Sequence, residues 1–141
     1  MYSRKFRGIP VLAVLFMAAM ASAQSGVPLK SGEQVYRETC MACHGTGVAQ
    51  APRTGDRKVW AKLIAEGQAV LTSHAWVGVR GMPPKGGNPE LSLEEFSRAV
   101  AWLAREAGGK WQDPDAVLMQ RIQAEVNKRQ AAARRKAAAS K

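Results

Sequence analysis

Cysteine, aromatic residues and long apolar runs are all scarce in this chain of 141 residues. Two cysteines allow one disulfide at most, which excludes a small fold held together by disulfides. The main apolar run, Val11–Met20, has ten residues, well short of the about 20 that cross a bilayer as a helix. Aromatic residues make up 6% of the chain, yet four of them are Trp. The length predicts one domain.

Acidic residues are also few, since 11 Asp and Glu stand against 21 Lys and Arg and give a net charge of +10. The excess is uneven. Residues 24–112 hold eleven basic and eight acidic residues, whereas residues 113–141 hold seven and three. The basic residues form no face interleaved with aromatic residues, so we predict no nucleic-acid partner.

The N-terminus has the pattern of a secretory signal peptide over residues 1–23. Three basic residues precede the apolar run, and Ala21-Ser22-Ala23 supplies small residues at the cleavage spacing. A membrane anchor is the weaker interpretation, because the run is too short to span a bilayer. We therefore expect cleavage after Ala23 and a mature chain in the periplasm, an oxidising compartment.

Residues 24–112 read as short helices joined by loops rich in Gly and Pro. Four helices are predicted, and they begin at the capping box Ser31-x-x-Gln34, at Asp56, at Leu71 and at the capping box Ser92-x-x-Glu95. The third is expected to end at Val79 and the fourth at Gly108-Gly109. No segment alternates like a strand, so the fold class is all-α. Helices this short make a thin core, which favours packing around a bound prosthetic group.

Residues 113–141 form a separate basic tail. Asp113-Pro114-Asp115 is a typical helix start, with Pro114 at the first helical position, and Leu118, Ile122 and Val126 follow along one stripe. After Lys128 the sequence is mostly Ala, Arg, Lys and Gln, so we expect the helix to fray into a solvated or partly disordered end. A weak contact of this tail with anionic lipid stays open.

The motif Cys40-Met41-Ala42-Cys43-His44 carries the chemistry. Two thiols at this spacing can add to the two vinyl groups of one porphyrin edge, and the next residue, His44, can ligate the iron. A thioredoxin-like pair would need a βαβ context, a zinc site would need four ligands, and a plain disulfide would leave His44 unexplained. We predict one covalent haem c, bound through Cys40 and Cys43, with its iron on His44.

Met82 is the predicted second axial ligand. It lies in Gly81-Met82-Pro83-Pro84-Lys85-Gly86-Gly87, where the prolines stiffen an extended segment and the glycines allow close approach to a flat macrocycle. His74 is the alternative ligand. Ligation by His and Met fills both axial positions and raises the reduction potential, which predicts electron transfer instead of catalysis.

The sequence resembles the class I c-type cytochromes, in particular the bacterial cytochrome c-five group, over roughly Ser31 to Trp111. The resemblance rests on the haem motif, on Ala51-Pro52-Arg53-Thr54-Gly55-Asp56, and on the segment from Gly81 to Asn88. It implies a small fold of short helices and loops wrapped around one haem. It also implies that the Pro52 carbonyl accepts a hydrogen bond from His44, and that Gly32 and Tyr36 of the first helix cross the last helix near Trp102.

Two features depart from the resemblance. Members of the group often have a second Cys-x-x-Cys pair near the last helix, which this chain lacks, and the tail after Asp113 lies outside the pattern.

The function that the residues and the resemblance imply is one-electron transfer by a periplasmic carrier, not an enzyme. The resemblance implies a membrane donor of the cytochrome bc type and a haem–copper terminal oxidase as acceptor, with weak docking steered by lysines such as Lys85. The alternative is a cytochrome subunit of a periplasmic dehydrogenase or sulfur-oxidising complex, docked through the tail.

Overall fold

A computed structural model describes residues 28–140, and the predicted signal peptide lies outside this range. The helices are α1 (Gly32–Val35), α2 (Met41–His44), α3 (Arg57–Ala65), α4 (Gln68–Val77), α5 (Leu93–Glu106) and α6 (Ala116–Ala139). A π-helical turn, Tyr36–Cys40, joins α1 to α2, and 3₁₀ turns cover Val48–Gln50 and Pro84–Gly87. The prediction of an all-α fold is confirmed: within residues 28–140 the only β-type pairing is the isolated bridge between Val79 and Met82.

The first helical segment leads directly into the haem motif. The Ser31 side chain caps α1 by accepting a hydrogen bond from the Gln34 amide at 3.1 Å. The reciprocal half of the predicted capping box is missing, since the Gln34 side chain donates to Glu38 instead. The π-helical turn ends at Cys40, and such turns are frequent at functional sites.

The first helical segment crosses α5, as the resemblance implied. A Cβ atom at Gly32 would collide with the carbonyl oxygen of Arg98, so only glycine permits this close approach. Next to it, the rings of Tyr36 and Trp102 lie with their centroids 4.4 Å apart. The close crossing therefore requires glycine at position 32 and is accompanied by the ring contact between Tyr36 and Trp102.

The capping residues of α3 and α5 are those predicted. Asp56 accepts a hydrogen bond from the Val59 amide at 3.1 Å. Ser92 and Glu95 form the complete, reciprocal capping box at the start of α5. Helix α4 begins at Gln68, three residues before the predicted start, and ends at Val77, two residues before the predicted end.

The last helix is longer and more regular than predicted. It begins at Ala116 after the cap Asp115, so the predicted start at Pro114 is two residues early. The prediction of fraying after Lys128 is wrong, because α6 continues to Ala139. Ala, Arg, Lys and Gln are strong helix formers, and their propensity maintains the helix without an apolar anchor.

Helix α6 packs on α4 through the predicted apolar stripe. Ile122 and Val126 are fully buried and form a small second core with Ala69. Arg129 adds a hydrogen bond from its Nε to the Ser73 hydroxyl at 2.7 Å. The stripe is therefore occupied within the molecule and is not free for a partner.

The main core lies between the first helical segment, α3, α4 and α5. Its buried members are Val35, Tyr36, Cys40, Trp60, Leu71, Leu91, Phe96, Ala99, Val100, Leu103 and Ala107. Cys40 belongs to this core, and Met82 packs against it, so both ends of the predicted site meet the same apolar cluster. Within residues 28–140, no helix has the length and apolar character to cross a membrane.

Candidate haem site

The two cysteines of the motif are free thiols in different environments. Cys40 is buried in the core, whereas Cys43 is exposed at the surface. Burial raises the pKa of the Cys40 thiol to about 11, and the neighbouring Cys43 adds to the rise. Cys40 is therefore a neutral thiol at pH 7, and the interpretation as a plain disulfide finds no support in the geometry.

His44 is held in one orientation by the loop that follows it. Its ring is buried, and Nδ1 lies 2.8 Å from the Pro52 carbonyl oxygen. A carbonyl only accepts, so Nδ1 carries the proton and the lone pair of Nε2 is left for a metal. The hydrogen bond that the resemblance implied for Pro52 is present.

The main chain of His44 is anchored by Thr54, a residue that the sequence did not single out for this role. The Thr54 amide donates to the His44 carbonyl at 2.8 Å, and the Thr54 hydroxyl lies 3.1 Å from the same oxygen. The Thr54 hydroxyl also lies 2.9 Å from the Tyr36 hydroxyl. These contacts tie the His44 loop to the crossing of α1 and α5.

Trp60 fixes the same loop from the other side. Its indole N–H donates to the Arg53 carbonyl at 2.9 Å, and its ring centroid lies 6.4 Å from that of His44. Because its N–H is used in this way, Trp60 has a positioning role and no donor left for a ligand.

Met82 lies in a turn closed by two backbone hydrogen bonds. The Val79 amide donates to the Met82 carbonyl at 3.1 Å, and the Met82 amide donates to the Val79 carbonyl at 2.9 Å. Pro83 continues the chain in an extended conformation, as predicted. The thioether side chain of Met82 is partly buried and packs against the core that contains Cys40.

The segment after Met82 is bound directly to the segment before Cys40. The Asn88 side-chain amide donates to the Thr39 hydroxyl at 3.2 Å. A Cβ atom at Gly86 would lie 3.3 Å from Thr39 Cγ2 and 3.9 Å from Met82 Cε. Thr39 therefore connects the two halves of the site, and no sequence pattern indicated this role.

Lys85 is bound within its own loop. Its ammonium donates to the Pro89 carbonyl at 2.7 Å and to the Leu91 carbonyl at 3.3 Å, and it lies 4.7 Å from the centroid of the Trp76 ring. Two of its three N–H donors thus close the loop, and Lys85 keeps its positive charge.

His74, the alternative ligand, is in contact with a carboxylate. Its Nδ1 is 2.8 Å from Glu66 Oε2, and its side chain is 30% exposed. The Nδ1 atom of His74 is therefore already engaged by a carboxylate, whereas Met82 packs against the core that contains Cys40.

The donor set fits a haem better than it fits a bare metal ion. The chain offers two free thiols, an imidazole whose Nε2 is free and a thioether. Cys40 and Met82 meet one apolar core, and a soft sulfur with an imidazole suits haem iron. Residues 28–140 contain no cluster of three His, Cys, Asp or Glu that could hold an ion.

Comparisons with known proteins agree with this geometry. A family model described as cytochrome C oxidase, cbb3-type, subunit III matches residues 27–103. Cytochrome c-555 of Chlorobaculum thiosulfatiphilum is 37% identical over 81 residues, which cover 55% of this chain and 94% of the relative. Cytochrome c5 of Azotobacter vinelandii is 38% identical over 78 residues, which cover 53% of this chain and 93% of the relative.

A solved structure supports the same assignment. It is a chain from the crystal structure of an electron transfer complex of nitrite reductase with cytochrome c, 38% identical, with a TM-score of 0.52. The match covers 54% of this chain and 93% of that chain. The chain described here therefore belongs to this cytochrome c family: it is a class I c-type cytochrome of the c5 group, an electron carrier with one covalently bound haem c.

Proposed function

We propose that the chain is a periplasmic one-electron carrier in which Cys40 and Cys43 hold the haem by thioether bonds and His44 and Met82 are the axial ligands. The observation that carries this proposal is the hydrogen bond between His44 Nδ1 and the Pro52 carbonyl, which leaves Nε2 free. The two backbone hydrogen bonds of the Val79–Met82 turn support Met82 as the second ligand.

The haem supplies a one-electron couple between Fe(III) and Fe(II) when it is bound. The residues of the chain determine which ligands the iron has. With haem bound, His44 and Met82 would both ligate the iron, which would leave no position for oxygen or peroxide and would favour electron transfer. The proposal is therefore a carrier that performs no chemistry on a substrate.

The periplasmic location rests on the predicted signal peptide over residues 1–23. The proposed partners are a membrane donor of the cytochrome bc type and a haem–copper terminal oxidase. The solved relative in complex with nitrite reductase supports the general idea of protein redox partners.

A second candidate is a dedicated subunit of a periplasmic dehydrogenase or sulfur-oxidising complex. The observation that favours it is α6, a helix of 24 residues that lies outside the family match over residues 27–103. Size-exclusion chromatography of the native extract separates the two candidates, because a subunit elutes with its enzyme and a carrier elutes alone.

Carbon monoxide binding tests the axial ligation. We expect the ferrous wild-type protein to bind little carbon monoxide, since Met82 occupies the sixth position, and the Met82→Ala variant to bind it readily. His74→Ala is the matched control and should behave like the wild type. Full binding by the wild type would instead indicate an open site, as in a sensor or an enzyme.

A further inference from the structure

A groove lies between the Met82 loop and the last helix. Its volume is about 790 Å³. The body of the protein lines it with Trp76, Val77, Gly78, Pro83, Pro84, Lys85, Gly87 and Pro89, and α6 lines it with Arg129, Gln130, Ala133 and Arg134. The floor is thus mostly apolar, and α6 forms one wall. Helix α6 lies outside the family match over residues 27–103, so this wall of the groove is not part of the matched region.

The wall formed by α6 is strongly basic. Residues 126–140 include five Lys and Arg and no Asp or Glu. Residues 131–140 are all exposed, so this part of α6 extends beyond the packed α4–α6 contact. The nearest preceding carboxylate on α6 is Glu125, which pairs with Lys128 at 3.7 Å.

The basic side chains that line the groove are of two kinds, those hydrogen-bonded within the chain and those without an ion pair. Arg129 is bound to Ser73, and the donors of Lys85 are bound to backbone carbonyls. Arg134 is exposed and forms no ion pair with any residue in the described range. The fixed cations shape the groove, and Arg134 remains available to a ligand on its rim.

We propose that this groove binds an acidic segment of a redox partner protein, with an apolar side chain on the floor and carboxylates against Arg134 and the basic end of α6. The proposal rests on the proposed function as an electron carrier and names the surface that such a partner recognises. Charge complementarity identifies the occupant as acidic. The concave apolar floor favours a protruding chain segment over a flat lipid surface.

Docking here would place the partner against the segment that follows Met82. Pro83 and Pro84 belong to the lining, and Met82 precedes them directly. A partner in this groove therefore contacts the loop of the proposed axial ligand, which is a suitable position for electron transfer.

A labelled synthetic peptide of glutamates around one leucine serves as the probe for the full-length ferrous holoprotein. We expect binding that weakens as salt is added, with amide shifts confined to α6 around Ala133 and to Trp76 and Gly87. Arg134→Glu should weaken binding about five- to tenfold at low salt, because it reverses a rim charge. Lys62→Glu on α3 makes the same change in net charge, is exposed, and should leave the affinity unchanged.

Three results would overturn the docking proposal: no binding of the peptide, equal loss of affinity in both variants, or binding only to phosphatidylglycerol vesicles. The absorption spectrum of each variant is recorded alongside. An intact haem spectrum with no peptide binding contradicts the groove alone, whereas a protein without covalent haem contradicts the proposed function itself.

Discussion

At the scale of single residues, the loop from Pro52 to Thr54 determines how His44 is presented. Pro52 binds the ring, and Thr54 binds the main chain of the same residue. Both contacts come from a segment eight to ten residues after His44. A substitution in this loop therefore acts on the histidine without touching the iron.

Thr54→Val should destabilise the holoprotein by about 1–2 kcal/mol, because the hydroxyl's contacts with His44 and Tyr36 are lost while the shape of the side chain is kept. Guanidinium unfolding of the ferric protein measures this difference. Thr46→Val, at an exposed position, is the control and should cost less. An equal effect of the two substitutions would contradict a special role for Thr54.

Gly32→Ala should cost about 2–3 kcal/mol, because the new Cβ would collide with the Arg98 carbonyl where α1 crosses α5. The thermal midpoint of unfolding measures the loss. Gly55→Ala provides a comparison, since that site has open space and a left-handed φ of 80°, for which a smaller cost of about 1 kcal/mol is expected. A tolerated Gly32→Ala would show that the helices can separate.

The residues of the site differ in whether a local sequence pattern predicts their role. The pattern Cys40-x-x-Cys43-His44 is contiguous, so the sequence alone predicts it. The bond between Thr39 and Asn88 joins residues 49 positions apart, and no local pattern encodes such a contact. The contacts of Lys85 are local, since its ammonium binds carbonyls four and six residues later in the same loop, yet no simple sequence pattern indicates them.

At the scale of elements, capping chemistry sets most of the helix boundaries. Ser31, Asp56 and Ser92 all cap helices where the sequence predicted a start. The start of α4 was missed because Gly67, which precedes it, has no capping side chain. The extent of α6 was also missed, because helix propensity alone continues it past the last apolar residue.

The capping box of α5 predicts a pH dependence of stability. Hydrogen bonds from the Lys30 amide and from Ser92 hold the pKa of Glu95 below its usual value. The stabilisation is therefore present above the usual pKa of the carboxyl and is lost as the pH falls through the lower pKa of the folded state. The difference in thermal midpoint between wild type and Glu95→Gln should shrink from pH 7 towards pH 3.

Glu90→Gln, on the exposed loop before α5, is the control for this pH series and should show no comparable trend. Ser92→Ala should cost about 1 kcal/mol at pH 7, since it removes the other half of the box. A constant difference between wild type and Glu95→Gln across the pH range would contradict the assigned role of the carboxylate.

At the scale of the whole molecule, α6 is part of the fold. It buries Ile122 and Val126 against α4, and α4 leads directly to the turn that holds Met82. Deleting the tail would uncover this apolar face, so substitutions of single charges are the better test of docking.

Ile122→Ala should destabilise the protein by about 2–3 kcal/mol, because it leaves a cavity between α6 and α4. Denaturant unfolding followed by circular dichroism measures the change. Arg121→Ala, the exposed neighbour on the same helix, should be neutral within about 0.5 kcal/mol. Equal stability of the two variants would mean that α6 is not packed on the body in solution.

The central claim is that His44 and Met82 together ligate the iron, and the far-red absorption of the ferric holoprotein tests it most directly. A bond between methionine sulfur and ferric iron gives a weak band in this region. We expect the band in the wild type and in His74→Ala and its absence in Met82→Ala. A band that persists in Met82→Ala, or that disappears in His74→Ala, would contradict it.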